Sequence, residues 1–301
     1  MKRISVVILA VIMTVTMIPF IGFADSSSQD TAQDENTVRT LDETEYPIVK
    51  GVSEKTVNMR NASDQSVVSH VLTVSPNSNV SFKASYGNYY TEGSTPASRK
   101  QKAENWSSAD WNFKTTTQQA ADYEKATGGR VLAATNCDYF NMSTGQPVGS
   151  VIMEGNKDLN ANNTEPYFAV LKDGSCVLRD YNVPKTDVVE GVSGPCFLVK
   201  DGKVCTNVPM DVLPRNSIGI KADGSVVIVE TDGRIEKSEG ITSLQLGNYL
   251  KSLGCVNAML LDGRRIRHPG YTPGRKRKAG NQQHPERRNR ACGILCITSC
   301  G

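Results

Sequence analysis

The chain has 301 residues, 38% of them hydrophobic, which is enough for a core and allows one large domain or two small ones. Its net charge of +3 hides an asymmetry: residues 264–301 hold ten Lys/Arg against one acid (Glu286), a net of +9, while residues 1–263 hold 24 basic and 30 acidic residues, a net of −6. Only His70 precedes residue 264, which excludes a histidine-based zinc centre and leaves a Ser-His-Asp triad no histidine but that one, with no nucleophile elbow beside it.

Lys2-Arg3, the apolar run Ile4–Phe23 and the small-residue site Gly22-Phe23-Ala24 predict a signal peptide over 1–24. The rival is an uncleaved anchor, the only membrane contact then expected; Pro19 and Ala24 favour cleavage. Either way the bulk of the chain is expected outside the cytoplasm, secreted or associated with the cell envelope. Residues 25–45 are polar, acidic and without periodicity and read as a flexible linker, so the folded domain is expected over 46–263.

Val67–Val74 and Val80–Ala84 read as strands, and the Ser-, Asn-, Gly- and Lys-rich stretch Gly87–Trp111 as a long surface loop that Trp106 and Trp111 pin down. Thr115–Thr127 predicts a helix with Ala120, Ala121, Tyr123 and Ala126 inside and Gly128-Gly129 as its stop. Val131–Thr135, Val148–Met153 and Phe168–Leu171 follow as strands. Asp-Gly turns at Asp173-Gly174, Asp201-Gly202, Asp223-Gly224 and Asp232-Gly233 predict four hairpins. Ser243–Leu253 is a second helix, capped by Ser243, that leads into the buried strand Val256–Leu261. The expected architecture is α+β: a mixed, largely antiparallel sheet built from hairpins with a few packed helices. Of the five cysteines before residue 264, Cys196 and Cys205 could bridge a hairpin; scattered small buried residues is the simpler reading.

With histidine so scarce, the chemistry left is that of carboxylates. Asp138 and Asp262 each follow an apolar strand, where the two could converge at one sheet edge, and a carboxylate pair is the usual equipment for glycosidic cleavage. The alternative is that each caps a turn. Arg215, at a strand start, could clamp an anion or make a surface ion pair.

Five segments, in this order, resemble the phosphodiester glycosidase family: Thr135-Asn136-Cys137-Asp138-Tyr139-Phe140-Asn141, Gly145-Gln146-Pro147-Val148-Gly149, Ser193-Gly194-Pro195, Pro214-Arg215-Asn216-Ser217-Ile218-Gly219 and Leu261-Asp262-Gly263. The resemblance spans roughly Tyr46–Gly263 and implies hydrolysis of a sugar-1-phosphodiester, from a cell-envelope or exopolysaccharide glycan. It implies catalytic roles for Asp138 and Asp262 and substrate-binding roles for Asn136, Arg215, Gly263 and Asn141. Arg215 would hold the phosphate and Asn136 would orient the sugar. Cys137 stands where the family has a small Gly or Ala. No cofactor is predicted and a divalent metal is left open; the partner is a glycan or sugar-phosphate substrate and no nucleic acid. The alternative function is a non-catalytic module that binds cell-envelope glycan.

After Gly263 the pattern breaks. The family continues Asp-Gly-Gly-Gly-Ser, a loop whose backbone amides can cradle phosphate, whereas this chain reads Arg264-Arg265-Ile266-Arg267-His268-Pro269. Codons permitted for Arg264 onward, read one base later, restore that glycine loop, then an alternating strand and an Asn-Gly hairpin. A frameshift is therefore expected, with 264–301 an aberrant, disordered tail, the final strands lost and activity impaired; the rival is a genuine basic tail that binds an anionic polymer.

Overall fold

The computed structural model describes residues 34–263 and, as backbone, 294–299. The signal peptide, the start of the linker and most of the basic tail lie outside the described residues.

The chain opens with two long strands, β1 (Val38–Val49) and β2 (Val52–Asn61), followed by β3 (Ser66–Val74) and β4 (Val80–Ser85). β1 starts at Val38, inside the expected linker, so the linker boundary at residue 45 is corrected. The acidic residues that suggest a linker are one side of a cross-strand charge ladder. Lys55 Nζ lies 2.7 Å from Glu43 and 3.7 Å from Glu45, and Asn58 donates to Asp42 at 2.7 Å. An exposed, charged edge strand lacks the apolar alternation that a sequence scan looks for, and its charges discourage pairing with other chains.

The stretch expected to be a surface loop contains helix α1 (Pro96–Glu104), and Tyr89 and Tyr90 before it are buried. Thr95 and Ser98 form a capping box around Pro96 in the first turn. The helix is anchored by polarity rather than by an apolar stripe: buried Arg99 makes a two-pronged contact with Glu154 at 2.7 and 2.8 Å, under the Tyr90 ring. Trp106 and Trp111 do pin this region, edge-on to each other and to Tyr86. Helix α2 (Thr116–Thr127) is stopped by Gly128 at φ +74°. Its inner face is Thr116, Gln119, Ala120 and Tyr123, so Ala121 lies outside it.

The chain continues through β5 (Arg130–Asn136), β6 (Val151–Ile152), β7 (Tyr167–Leu171), β8 (Cys176–Arg179), β9 (Val188–Ser193), β10 (Phe197–Lys200), β11 (Lys203–Val204), β12 (Arg215–Lys221) and β13 (Val226–Thr231). Three Asp-Gly turns join hairpins, β7–β8, β10–β11 and β12–β13. Asp232-Gly233 does not. There the chain leaves the sheet, with Asp232 N–H on the Val68 carbonyl and Arg234 N–H on that of Glu239. Helix α3 (Ser243–Ser252) is capped by Thr242 rather than Ser243, and β14 (Cys255–Leu261) follows.

One eight-stranded sheet has the order β1-β2-β3-β13-β12-β14-β10-β11, and β6-β9-β7-β8 form a second sheet of four. Every described pairing is antiparallel. β14 is central and covered on both faces: Met259 and Leu261 face the core shared with α2 and β5, while Ala258 and Leu260 face the core under α3.

A third sheet has the order β4-β15-β5, with β15 (Ile294–Ser299) drawn from the tail. The expectation that the tail forms no strand is corrected for these six residues. The run Ile-Leu-Cys-Ile-Thr-Ser is apolar and β-branched, and the facing edges of β4 and β5 offer it backbone partners on both sides. Among the described residues no helix is long and apolar enough to cross a membrane.

Candidate active site

β5 and β14 belong to different sheets, yet their ends meet. The Asp262 N–H donates to the Cys137 carbonyl at 2.7 Å. Asn216, at the start of β12 and opposite Leu261 in register, reinforces the junction. Its side-chain amide donates to Thr135 Oγ1 at 2.5 Å and to the Asn136 carbonyl at 3.0 Å. Asp138, two residues past β5, and Asp262, the residue after β14, are thereby brought to one seam. Cys137 is fully buried there, small enough to pass between the sheets.

Asp138 is only 2% exposed. One carboxyl oxygen accepts the Tyr139 N–H at 2.7 Å and the other accepts the Gly149 N–H. Burial pushes its carboxyl up to about 7, helped by the negative charges of Glu165 and Asp262 and opposed by the two N–H groups. A carboxyl poised near neutrality in this way can give or take a proton at physiological pH.

Arg215 is 4% exposed, which rules out an ordinary surface ion pair. One terminal nitrogen donates to the Asp211 carbonyl at 2.8 Å, and its Nε has no partner among the described residues. Burial holds its pKa below the usual guanidinium value. Asn136 is 1% exposed, and neither of its amide atoms nor Asn216 Oδ1 has a partner among the described residues. A buried donor or acceptor left unmade costs about 1–3 kcal/mol, so three such side chains at one seam mark a place where an incoming polar molecule completes the hydrogen bonds.

The remaining expected residues are placed differently. Gly263 passes so close to Pro214 that a Cβ would lie 2.3 Å from the Pro214 carbonyl oxygen. Asn141 is exposed, and its side-chain oxygen accepts the N–H groups of Ser143 and Thr144 within its own turn, at 2.8 and 3.3 Å. Cys196 and Cys205 are free thiols. Among the described residues no group of His, Cys, Asp or Glu is arranged to hold a metal ion. Sequence reasoning missed Glu165, whose charge acts on Asp138. Nothing local advertises it: it precedes Pro166 at the mouth of β7, with no motif around it.

The phosphodiester glycosidase family model matches residues 129–264, a stretch that includes all five of these segments. The SPbeta prophage-derived uncharacterized protein YomE of Bacillus subtilis (strain 168) is 42% identical over 73 residues, 22% of this chain and 11% of that protein. The N-acetylglucosamine-1-phosphodiester alpha-N-acetylglucosaminidases of Mus musculus and Bos taurus are 24% and 25% identical over 154 and 170 residues, 43% and 48% of this chain. Those matches cover 30% and 32% of the mammalian proteins, so the chain spans about a third or less of the curated relatives it matches. In fold, the chain is similar to the zebrafish catalytic domain of the same name, solved auto-inhibited by its pro-peptide: TM-score 0.59, 18% identity, 87% of this chain and 88% of that one. A hypothetical protein from Synechocystis shares the fold with a TM-score of 0.57 at 11% identity, over 86% of this chain and 64% of its own.

The fold depends at this seam on a glycine. A Cβ on Gly149 would lie 2.1 Å from Ser193 Cβ, a distance real atoms do not adopt. Gly149→Ala is expected to destabilise the domain by about 1–3 kcal/mol in chemical denaturation, the usual cost of overpacking. Ser193→Gly alone, which removes the hydroxyl that accepts the Ser150 N–H at 2.8 Å, sets the baseline; added to Gly149→Ala it removes the clashing atom, and the double variant should be no less stable than Ser193→Gly alone.

Proposed function

We propose that this chain derives from a secreted glycosidase that hydrolyses a sugar-1-phosphodiester in cell-envelope or exopolysaccharide glycan. The observation that carries this reading is the buried Asp138 carboxyl, poised near neutrality beside Asp262 and a buried, incompletely partnered Arg215. In this reading the leader over 1–24 exports the chain. Arg215 takes the phosphate, a planar fork of donors being suited to two phosphate oxygens. Asn136 offers the sugar one donor and one acceptor. Asp138 in its protonated form serves the leaving phosphate oxygen, and the Asp262 carboxylate faces the positive charge that grows at the anomeric carbon.

Turnover of a nitrophenyl- or UDP-linked sugar phosphodiester, followed by phosphorus NMR, tests the reading. Binding of the glycan with no turnover, even with an intact glycine loop, would favour a binding module. Arg215→Ala is expected to remove about 2 kcal/mol of phosphate binding, roughly a thirtyfold rise in KM, with a smaller effect on a neutral nitrophenyl glycoside. An equal loss on both substrates would place Arg215 away from the phosphate.

In this chain the loop after Gly263 is Arg264-Arg265-Ile266 in place of the family's glycines, and we attribute that to a shifted frame. The activity of the chain as it stands is accordingly impaired.

A further inference from the structure

The geometry points to Glu165 as the second acid–base carboxylate of this site, paired with Asp138 across Gly149; the assignment rests on the glycosidase reading. Gly149 donates its N–H to Asp138, and a Cβ on Gly149 would stand 3.0 Å from Glu165 Cβ. Asp138, Gly149 and Glu165 are thus neighbours in space, with the Ser193 side chain packed against Gly149 beside them. Glu165 is held from both sides: its N–H donates to Asn163 Oδ1 at 3.2 Å, and the carbonyl of the next residue, Pro166, accepts the Gly194 N–H at 3.2 Å. Its own carboxylate, half-buried, has neither a hydrogen bond nor an ion pair among the described residues.

The Glu165 carboxylate is only half-buried and stays open to solvent, so it is accessible to an incoming ligand or water. Of the two acids whose charge bears on Asp138, Glu165 acts more strongly than Asp262. The same carboxylate also acts on Cys196, and so does Arg215, so both charges lie near Cys196. Tyr139, which feels Arg215, Asp262 and Asp138, closes the group. Two interacting carboxyls hold one proton between them over a range of pH, which supplies one acid and one base at once.

The step follows. Ionised Glu165 takes a proton from water as the water oxygen bonds to the anomeric carbon. The bond from that carbon to the phosphate oxygen breaks, its electron pair stays on oxygen, and the Asp138 proton neutralises it. One water is consumed, and a free sugar and a phosphomonoester leave. The proton on Glu165 then returns to Asp138 through solvent. Because water attacks directly, the anomeric configuration inverts.

Two measurements test this. In the chain as it stands, carboxyl carbon NMR should show Asp138 titrating about one unit lower in Glu165→Gln, since a like charge has been removed; an unmoved midpoint overturns the pairing. In the chain with its frame restored after Gly263, Glu165→Gln should lower kcat about 10²-fold or more on a sugar-1-phosphodiester, with little change in KM and loss of the acid limb of the pH profile. Glu165→Asp should recover part of that activity, and the product of the unsubstituted chain should be the inverted anomer. Full activity in Glu165→Gln, or a retained anomer, overturns the role of Glu165 and leaves the glycosidase reading intact. No turnover in the unsubstituted restored chain overturns both.

Discussion

On the shifted-frame and glycosidase readings proposed above, restoring the frame after Gly263 is expected to raise turnover of a sugar-1-phosphodiester by about 10²–10³-fold, the scale on which losing preorganised backbone donors acts. The reason is local. β14 delivers Asp262-Gly263 to the seam whatever follows, because the strand is buried on both faces and its end is bonded to Cys137. On the proposed reading, the family's glycines after Gly263 would offer backbone N–H groups to the phosphate, and this chain has Arg264-Arg265-Ile266 in their place. The third sheet is a separate matter. Ile294–Ser299 already pairs with β4 and β5, so the expected gain comes from the glycine loop more than from a missing strand. Kinetics of the two chains side by side, with circular dichroism to confirm equal folding, make the comparison. Equal activity would mean that the loop after Gly263 takes no part in the chemistry.

Asp138→Asn in the restored chain should lower kcat by about 10²–10⁴-fold, the range typical of a lost proton donor. The pH dependence is the sharper test. With the Asp138 carboxyl pushed up to about 7, activity that needs its proton should fall as pH rises through about 7. Stability moves the same way, and the sign can be worked out. The native state holds a proton that the unfolded chain, with a carboxyl near its ordinary 3.8, releases earlier. Between about pH 4 and 7 the folded form therefore binds more protons, and rising pH favours unfolding, with the loss complete above about 7. Denaturation midpoints at pH 5 and pH 8 should differ in the parent chain and differ less in Asp138→Asn. An unchanged difference would place the titrating group elsewhere, with the buried Glu190 beside Lys83 the next to test, since burial raises it to about 7 as well.

Much of the fold was legible because it is written in short-range patterns. β14, α2 and three of the four Asp-Gly hairpins follow from apolar runs, capping residues and turn chemistry that act within a few positions. What misled was structure stabilised from a distance. β1 reads as linker because its partners are the charges of β2; α1 reads as loop because Arg99 is anchored by Glu154, far along the chain. Asp232-Gly233 has the letters of a hairpin turn, but no strand returns along β13 at that point.

The candidate site divides in the same way. Asp138, Asp262 and Arg215 could be picked out from the sequence, since each follows or opens a strand and strand ends are where side chains are aimed. That the two carboxylates share one seam was decided only by tertiary structure, where a backbone bond from Asp262 to Cys137 and the side chain of Asn216 tie two sheets together. Burial, too, is a property of the assembled sheets: it raises Asp138 and leaves Arg215 Nε and the Asn136 amide without partners among the described residues, and no residue type or spacing encodes it. Glu165 is the clearest case, a carboxylate beside no motif, which matters because Gly149 has no side chain to keep it from Asp138. Sequence by itself determined which chemical groups stand at the strand ends; only the packing of one sheet against another decided which of them meet, and how far from water.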